Sequence, residues 1–201
     1  MISHKYRCIF IHQRKSAGCS IITSFGITPD EPDWHIFNNG TLSEEWRQRH
    51  ELAGGYTVFT VVRNPWDRFV SGWKYLAALR DRPLLDVLRN LPPPETGHDY
   101  RHLTRPQLDI LLDEEGKFAP DYVLRFENLA EDYARFCRVI GKKDTQLPRL
   151  NVTTHKRYDD YFDEHALDLF SRHFERDIEF LGYDFSGAVP GPERWPGRIP
   201  I

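Results

Sequence analysis

Two segments of this chain repeat one pattern, in which a short apolar run ends in a turn that bears a cation and leads into a helix. The first segment is residues 9–20 and the second is residues 59–71. A short apolar run is typical of a buried strand, and strands that alternate with helices favour a parallel sheet. In such sheets ligands bind beyond the carboxyl ends of the strands, where both turns would lie. We therefore expect an α/β fold with a site formed by these two turns.

The remaining hydrophobic pattern predicts a single domain, with a mainly parallel β-sheet flanked by helices. We assign residues 1–185 to this domain, and residues 186–201, which are rich in Gly and Pro, to a C-terminal tail. The predicted strands are residues 6–11, 57–62 and 122–126. The predicted helices are residues 18–25, 84–88, 129–140 and 164–181, with further helices that begin near Thr41 and at Pro65.

The composition is that of a folded chain, and it excludes two classes of protein. The 201 residues carry a net charge of −3, which argues against a dedicated nucleic-acid-binding protein. No apolar stretch approaches the roughly 20 residues of a membrane-spanning helix, and no signal-peptide pattern follows Met1. We therefore expect a cytoplasmic protein whose partners include neither a nucleic acid nor a membrane.

The three cysteines, Cys8, Cys19 and Cys137, are far apart in the sequence. Because they include no C-x-x-C pair, they indicate neither a zinc site nor a disulfide framework, and we expect no bound metal. Cys8 and Cys137 lie in apolar patterns that predict core positions. Free thiols of this kind fit a reducing compartment.

The first turn consists of small residues that follow a lysine. Small side chains allow the backbone to approach a phosphate closely, and Gly18 tolerates unusual backbone dihedral angles. The order differs from a Walker A motif, in which glycines precede the lysine. Taken alone, the pattern also fits a plain strand-to-helix turn with a solvated lysine. The candidate phosphate-binding residues of this turn are Lys15, Ser16, Ala17, Gly18, Cys19 and Ser20.

The second turn places Arg63 directly after a β-branched strand and Pro65 at the favoured first position of a helix. Ser71 lies about two turns further along that helix, on its polar side. An arginine binds phosphate with bidentate geometry, and a serine hydroxyl can donate to the same group. Lys15 and Arg63 together therefore predict a two-point clamp for a ligand with two phosphate-like ends.

With both turns described, the chain resembles the sulfotransferase superfamily, and especially its carbohydrate-sulfotransferase branch. Residues 15–20 are similar to the loop that binds the 5′-phosphosulfate in that family. Residues 62–71, with the spacing from Arg63 to Ser71, are similar to its 3′-phosphate motif. Further similarities extend the resemblance over nearly the whole chain except the tail; they lie at residues 105–107, 124–129, 150–158 and 180–183.

The chain departs from the family pattern at three positions of the first turn. Arg14, Ala17 and Cys19 stand where proline, glycine and threonine are usual in the family. Serine hydroxyls or backbone N–H groups can still serve as phosphate ligands there. Arg14 adds a positive charge beside Lys15, which alters the charge of the expected pocket.

The resemblance implies a nucleotide-binding fold similar to that of P-loop proteins, and sulfuryl transfer from PAPS (3′-phosphoadenosine 5′-phosphosulfate) to a hydroxyl or amine without a metal. It implies that Lys15 neutralises the bridging oxygen as it leaves and that N–H groups of residues 18–20 hold the 5′-phosphate. Arg63 and Ser71 would then bind the 3′-phosphate. Lys156 would add a cation near the nucleotide, unless it is an ordinary solvated lysine.

The expected acceptor is a hydroxyl-bearing carbohydrate or small metabolite, and its proton must pass to a general base. His35 is the first candidate, because related enzymes often have a histidine just upstream of the stretch that residues 41–44 resemble; His102 is the next. Other candidate bases are His50, Glu51 and His98. Aromatic residues that could line an acceptor site are Trp34, Trp46, Tyr75 and Tyr100, whereas Trp73 falls on an apolar helix face and fits the core.

Two other functions remain open. A P-loop-type kinase of small molecules would need a Mg²⁺-binding carboxylate and a lysine after glycines, and neither is evident. A non-catalytic relative that binds a nucleotide or a partner protein would fit the loss of the base, because Asn38 and Asn39 occupy the region where a histidine is expected. Golgi relatives carry a membrane anchor, so the lack of one here favours a bacterial enzyme.

Overall fold

A computed structural model describes residues 1–27, 55–93, 96–97, 99–112, 116–150 and 154–191. Within these residues the strands form one sheet in the order β1-β2-β3-β4. The strands are β1 (Ile2–Ser3), β2 (Cys8–Ile11), β3 (Thr57–Val62) and β4 (Tyr122–Arg125). β2, β3 and β4 run parallel, and β1 pairs antiparallel with β2. The predicted α/β fold with a mainly parallel sheet is confirmed.

The helices of the described residues follow the predicted pattern closely. They are α1 (Gly18–Ser24), α2 (Pro65–Tyr75), α3 (Leu84–Arg89), α4 (Arg101–Thr104), α5 (Leu129–Val139) and α6 (Glu164–Leu181). Gly141 follows α5 and Gly182 caps α6, each with a φ of 70° that suits glycine. β1 and α4 were not predicted, because elements of two and four residues are too short to show periodicity. The helix start predicted near Thr41 lies outside the described residues.

Alternating strand residues build a core on each face of the sheet. Ile9, Val58 and Val62 pack with the apolar sides of α2, α3 and α6. Phe10 and Phe59 face the other way and pack with residues of α1 and α5. Complete burial of a side chain such as Phe59 contributes about 1.5–3 kcal/mol. The result is three layers, with helices on both sides of the sheet.

The parallel register brings the two cationic turns to one edge of the sheet. Ile11, the last residue of β2, pairs with Thr60, and Val62, the last residue of β3, pairs with Arg125. The turn after β2, the turn after β3 and the end of β4 are therefore neighbours, as the sequence predicts. None of the helices described here is long and apolar enough to span a membrane.

The cysteines and Trp73 occupy the positions that the pattern predicts. Cys8 and Cys137 have no exposed surface, and burial raises the pKa of the Cys8 thiol to about 12. Trp73 is also buried, and its indole N–H donates to the carbonyl of Leu79 at 2.7 Å. These side chains therefore serve packing and are not part of the candidate site.

Candidate functional site

The first turn has a backbone conformation that is unusual for its residue types. Lys15 and Ala17 lie in the left-handed region, with φ values of 64° and 58°. This region costs a residue with a Cβ atom roughly 1–2 kcal/mol, so the surrounding structure must enforce it. Gly18 itself has no positive φ, although glycine would tolerate one. Lys15 and Ala17 supply the sharp turn instead.

Gly18 is required for a different reason, which is the close approach of His12. A Cβ atom on Gly18 would lie 1.8 Å from Nε2 of His12. The imidazole also stacks on Phe10, with ring centroids 5.8 Å apart. Burial, assisted by the charges of the N-terminus and Arg14, lowers the pKa of His12 to about 3, so this ring is neutral at physiological pH. The neutral ring fixes the path of the turn where α1 begins.

The two serine hydroxyl groups of this turn, on Ser16 and Ser20, differ in their hydrogen bonding. Ser16 Oγ is buried and finds no hydrogen-bond partner in the part of the chain that the structure describes. Ser20 Oγ accepts a hydrogen bond of 3.3 Å from the backbone N–H of Leu150. A buried hydroxyl without a partner loses the hydrogen bonds that it makes in water. Ser16 is thus suited to an anion with exposed oxygens, which would provide the missing acceptor.

The second turn is held by its own side chains at the start of α2. Asn64 is the N-cap, and its side-chain oxygen accepts from the N–H groups of Trp66 and Asp67. Asp67, one helical turn beyond Arg63, binds the guanidinium: Arg63 Nε donates to Asp67 Oδ2 at 2.8 Å and Nη2 lies 2.7 Å from the same oxygen. Asp67 thereby orients an arginine whose side chain is only 8% exposed.

A buried glutamine connects the two turns through the backbone. Gln107 has no exposed surface. Its Oε1 accepts from the Arg63 N–H at 3.0 Å, and its Nε2 donates to the Arg63 carbonyl at 2.9 Å. The side chain of Gln13, from the first turn, donates to the Gln107 carbonyl at 2.7 Å. Gln107 was noted in the sequence only as part of a family similarity, and its bridging role is not visible from spacing.

The end of β4 supports Arg63 from a third direction. The Arg63 guanidinium lies 4.0 Å from the centroid of the Phe126 ring. Glu127 accepts from the Asn64 N–H at 2.7 Å and from the Tyr183 hydroxyl at 2.8 Å. Burial raises the pKa of this carboxyl group, and these hydrogen bonds oppose the shift. The similarity noted at residues 124–129 therefore corresponds to a structural support for the second turn.

Lys15 and Arg63 are joined directly. Arg63 Nη1 donates a hydrogen bond of 2.7 Å to the carbonyl oxygen of Lys15. Burial, with the charge of Arg63 adding to it, lowers the pKa of Lys15 to about 8. The Lys15 ammonium lies 4.1 Å from the centroid of the Tyr75 ring. The structure thus brings the two predicted cations to one place.

Two of the other predicted ligands can also be placed. Ser71 is buried on α2, one helical turn beyond Asp67, and so follows the same stripe of the helix as Asp67. Lys156 is exposed and lies two residues before Tyr158, which starts a 3₁₀ turn packed against α2. The backbone N–H of Lys156 donates to the hydroxyl of Tyr161 at 3.1 Å. The contacts of the Lys156 side chain with a nucleotide stay a prediction.

Of the two candidate bases, only His102 lies in the described residues; His35 lies outside them, as do His50, Glu51 and His98. His102 Nε2 is 2.8 Å from Nη1 of Arg14. Because a guanidinium only donates, Nε2 is the acceptor, and the proton of the neutral imidazole lies on Nδ1. His102 can take up a proton at Nε2 only after Arg14 moves away. The assignment of the base stays a prediction.

The arrangement has the chemistry of an anion site. Two cations from two turns meet at the carboxyl edge of a parallel sheet, next to a buried hydroxyl that has no hydrogen-bond partner among the described residues. Among the described residues, no cluster of His, Cys, Asp and Glu side chains is suited to hold a metal ion. A ligand with phosphate or sulfate groups fits these donors.

Comparisons with known proteins give one similar chain and one family. An uncharacterized protein of Archaeoglobus fulgidus is 29% identical over 127 residues, which cover 63% of this chain and 96% of that protein. No solved structure matches this chain. The family model described as "Sulfotransferase family" matches residues 28–184, so that the second turn lies inside the match and the first turn before it. More than half of the chain is matched, and the chain therefore belongs to the sulfotransferase family.

Proposed function

We propose that this chain transfers a sulfuryl group from PAPS to a hydroxyl or amine of a carbohydrate or small-metabolite acceptor. Membership of the sulfotransferase family supports sulfotransferase activity in general. The observation that carries the finer proposal is the contact between Arg63 Nη1 and the Lys15 carbonyl. It joins two cationic turns into one site that suits a donor with phosphate groups at both ends.

Arg63 is prepared to bind the 3′-phosphate. Of its five N–H groups, Nε and one on Nη2 are directed to Asp67, and one on Nη1 is directed to Lys15. The other two have no partner among the described residues, and they suffice for a bidentate contact with phosphate. Ser71, on the stripe of α2 that starts at this arginine, adds a hydroxyl donor to the same group.

The first turn would bind the 5′-phosphosulfate. The alternation of left-handed and ordinary residues at positions 15–17 is of the kind that directs successive N–H groups towards an anion. The Ser16 hydroxyl would donate to one of its oxygens, and N–H groups of residues 18–20 to others. The close packing of His12 on Gly18 keeps this backbone in place.

Lys15 has the catalytic role. Sulfuryl transfer resembles phosphoryl transfer, in which positioning and stabilisation of charge on the departing oxygen dominate. The interaction between an ammonium group and that oxygen becomes more favourable as the S–O bond breaks and negative charge develops on the oxygen. Its partly buried surroundings strengthen this interaction relative to water.

The acceptor would lose its proton to a base, for which His35 and His102 are the candidates. His102 lies near Lys15, because the Tyr75 ring contacts both: its centroid is 4.9 Å from that of His102 and 4.1 Å from Lys15 Nζ. If Arg14 released Nε2 of His102, the lone pair of that nitrogen could accept the proton of the acceptor. Comparison of the pH profiles of His35→Gln and His102→Gln distinguishes the two.

The experiment that tests this function follows ³⁵S from labelled PAPS into a panel of sugars, amino sugars and phenols. We expect transfer without added metal and its loss in Lys15→Ala. A kinase would instead transfer ³²P from ATP with Mg²⁺, and a non-catalytic relative would bind PAP, the desulfated product, but transfer nothing. These outcomes separate the three functions.

A further inference from the structure

A second cationic pocket lies beside the first turn, and the proposed donor site does not use it. Four arginines line it: Arg14 after β2, Arg68 on α2, Arg101 on α4 and Arg105 directly after α4. The closed part of the pocket is small, with about 10 Å³ for the centre of a water molecule, and its mouth is open to solvent. None of the residues assigned above to the phosphates of the donor lines this pocket.

Arg68 is the most unusual member of the pocket. Its side chain is almost completely buried, at 2% exposure, and its Nη2 donates to the carbonyl of Arg105 at 2.7 Å. Nε of Arg68 is buried and has no hydrogen-bond partner among the described residues. A buried guanidinium with an unused donor is costly unless an acceptor reaches it.

Nearby carboxylates only partly compensate for this charge. Asp177 has the largest acidic influence on the pKa of Arg68, but its two oxygens accept from the backbone N–H groups of Gln107 and Leu108, at 2.7 and 2.9 Å. Asp109 influences both Arg68 and Arg105 and lies 3.8 Å from Arg176. Neither acid forms a salt bridge with Arg68 or Arg105 in the described residues.

The other arginines repel one another. Burial lowers the pKa of Arg14, and the charges of Arg101 and Arg105 lower it further, against smaller opposing effects of Asp99 and Tyr75. Arg14 is also tied to His102 through the hydrogen bond of Nη1 to Nε2. An anion in the pocket would relieve this repulsion and satisfy Arg68 Nε.

The position of the pocket identifies the molecule that would use it. Arg14 precedes Lys15 in the chain, and the Tyr75 ring contacts both Lys15 and the histidine that binds Arg14. A group held in the pocket is therefore attached to a molecule that reaches the Lys15 end of the site, where the sulfuryl group would be transferred.

We propose that the acceptor carries an anionic group, such as a phosphate, sulfate or carboxylate, which binds between Arg14, Arg68, Arg101 and Arg105 while its hydroxyl faces Lys15. This rests on the proposed function. It narrows the acceptor from any hydroxyl compound to an acidic one, and it gives Arg14 a role in acceptor specificity.

The test measures binding by calorimetry with PAP at saturation, so that the donor site is already filled. The probes are glucose 6-phosphate, glucose and inorganic phosphate. The variants are Arg101→Gln/Arg105→Gln and, as a matched control, Arg172→Gln, which changes an exposed arginine of α6 paired with Asp168. We expect glucose 6-phosphate to bind wild type and the control at least tenfold more tightly than glucose, and the double variant to lose that preference while it keeps its affinity for PAP.

If the double variant does not fold, a measurement on the wild-type protein still tests the pocket. In a sample with ¹⁵N-labelled arginine, the Nε–H resonance of Arg68 should move on addition of glucose 6-phosphate and stay in place on addition of glucose. The single variant Arg101→Gln gives a second, milder change to the same pocket.

The proposed anion binding in the pocket would be overturned by either of two results. One is equal affinity of wild type and the double variant for glucose 6-phosphate, and the other is an Arg68 resonance that does not move. Inorganic phosphate that binds as tightly as glucose 6-phosphate would overturn the assignment to an acceptor, since the pocket would then hold a free anion. If the wild-type protein does not bind PAP, the proposed donor site is wrong. The same titrations without PAP then test anion binding in the pocket separately.

Discussion

The guanidinium of Arg63 donates a 2.7 Å hydrogen bond to the carbonyl oxygen of Lys15, so each of the two cationic turns fixes the other. The same guanidinium is held by Asp67 and lies over Phe126. A substitution of Arg63 therefore removes the proposed ligand for an anion and also a support of the first turn. Predictions about this arginine need a variant that separates the two effects.

We expect Arg63→Ala to weaken PAP binding more than Ser71→Ala does. Loss of a charged hydrogen bond costs about 1.5–3 kcal/mol, which corresponds to roughly 10- to 100-fold in affinity, whereas a neutral one costs about 0.5–1.5 kcal/mol. Isothermal titration with PAP measures both. Arg135→Ala, which removes a half-buried arginine of α5 that pairs with Glu131, is the control.

Asp67→Asn separates ligand from support, because it keeps Arg63 but loosens its orientation. We expect this variant to bind PAP with an affinity between those of wild type and Arg63→Ala. If Arg63→Ala binds PAP with wild-type affinity, the assignment of the 3′-phosphate to Arg63 is wrong.

Lys15→Ala should lower kcat by about 100-fold or more, the effect of deleting one group that stabilises transition-state charge. The affinity for PAP should fall much less, because PAP lacks the sulfuryl group and the bond that breaks. Lys15→Arg should restore little activity, since a planar guanidinium does not replace a compact ammonium. The comparison of steady-state sulfate transfer with PAP titration checks this, and a normal kcat in Lys15→Ala would move the catalytic role elsewhere.

The pH dependence of the enzyme should reflect the lowered pKa of Lys15, about 8 in the free protein. Below this pH the ammonium is charged and attracts the anionic donor, and above it the charge is lost. We expect kcat/KM for PAPS to fall above pH 8 and to approach a tenfold loss for each further pH unit. Lys15→Arg, although slow, should show no such decline, because its guanidinium stays charged. A flat wild-type profile to pH 10 would contradict the prediction.

Substitutions at two neighbouring positions of the first turn should differ in their effects on stability. Gly18→Ala places a Cβ atom against the imidazole of His12, and the overpacking should destabilise the fold by about 1–3 kcal/mol. Ala17→Gly relieves a left-handed φ of 58° and should leave stability unchanged or raise it by up to about 1 kcal/mol. Urea unfolding of both variants measures the difference, and equal stabilities would mean that the turn is not constrained as described.

Much of the fold could be predicted because its elements are long or have clear boundaries. β3 is a run of β-branched and aromatic residues from Thr57 to Val62, and α6 has a strong apolar stripe that ends at Gly182. Both agree with the prediction at each end. β1 and α4 are so short that tertiary contacts, and not local pattern, determine them.

The candidate site shows the same division. Lys15 and Arg63 could be recognised because a cation after a strand, before a helix, is a local signal. The bridge through Gln107 joins residues 44 positions apart, and no local pattern encodes it. The constraint on Gly18 comes from the packing of His12, which spacing does not reveal. Arg68 is buried without a salt bridge in the described residues, and no local pattern of the sequence indicates this.

The most direct test of the account is a calorimetric titration of the protein with PAP in EDTA, beside ATP with and without Mg²⁺. We predict micromolar binding of PAP at one site per chain, within the range that enzymes show for substrates. This binding should be indifferent to EDTA and weakened by Arg63→Ala. Binding of ATP only with Mg²⁺, and none of PAP, would contradict the account and favour the kinase.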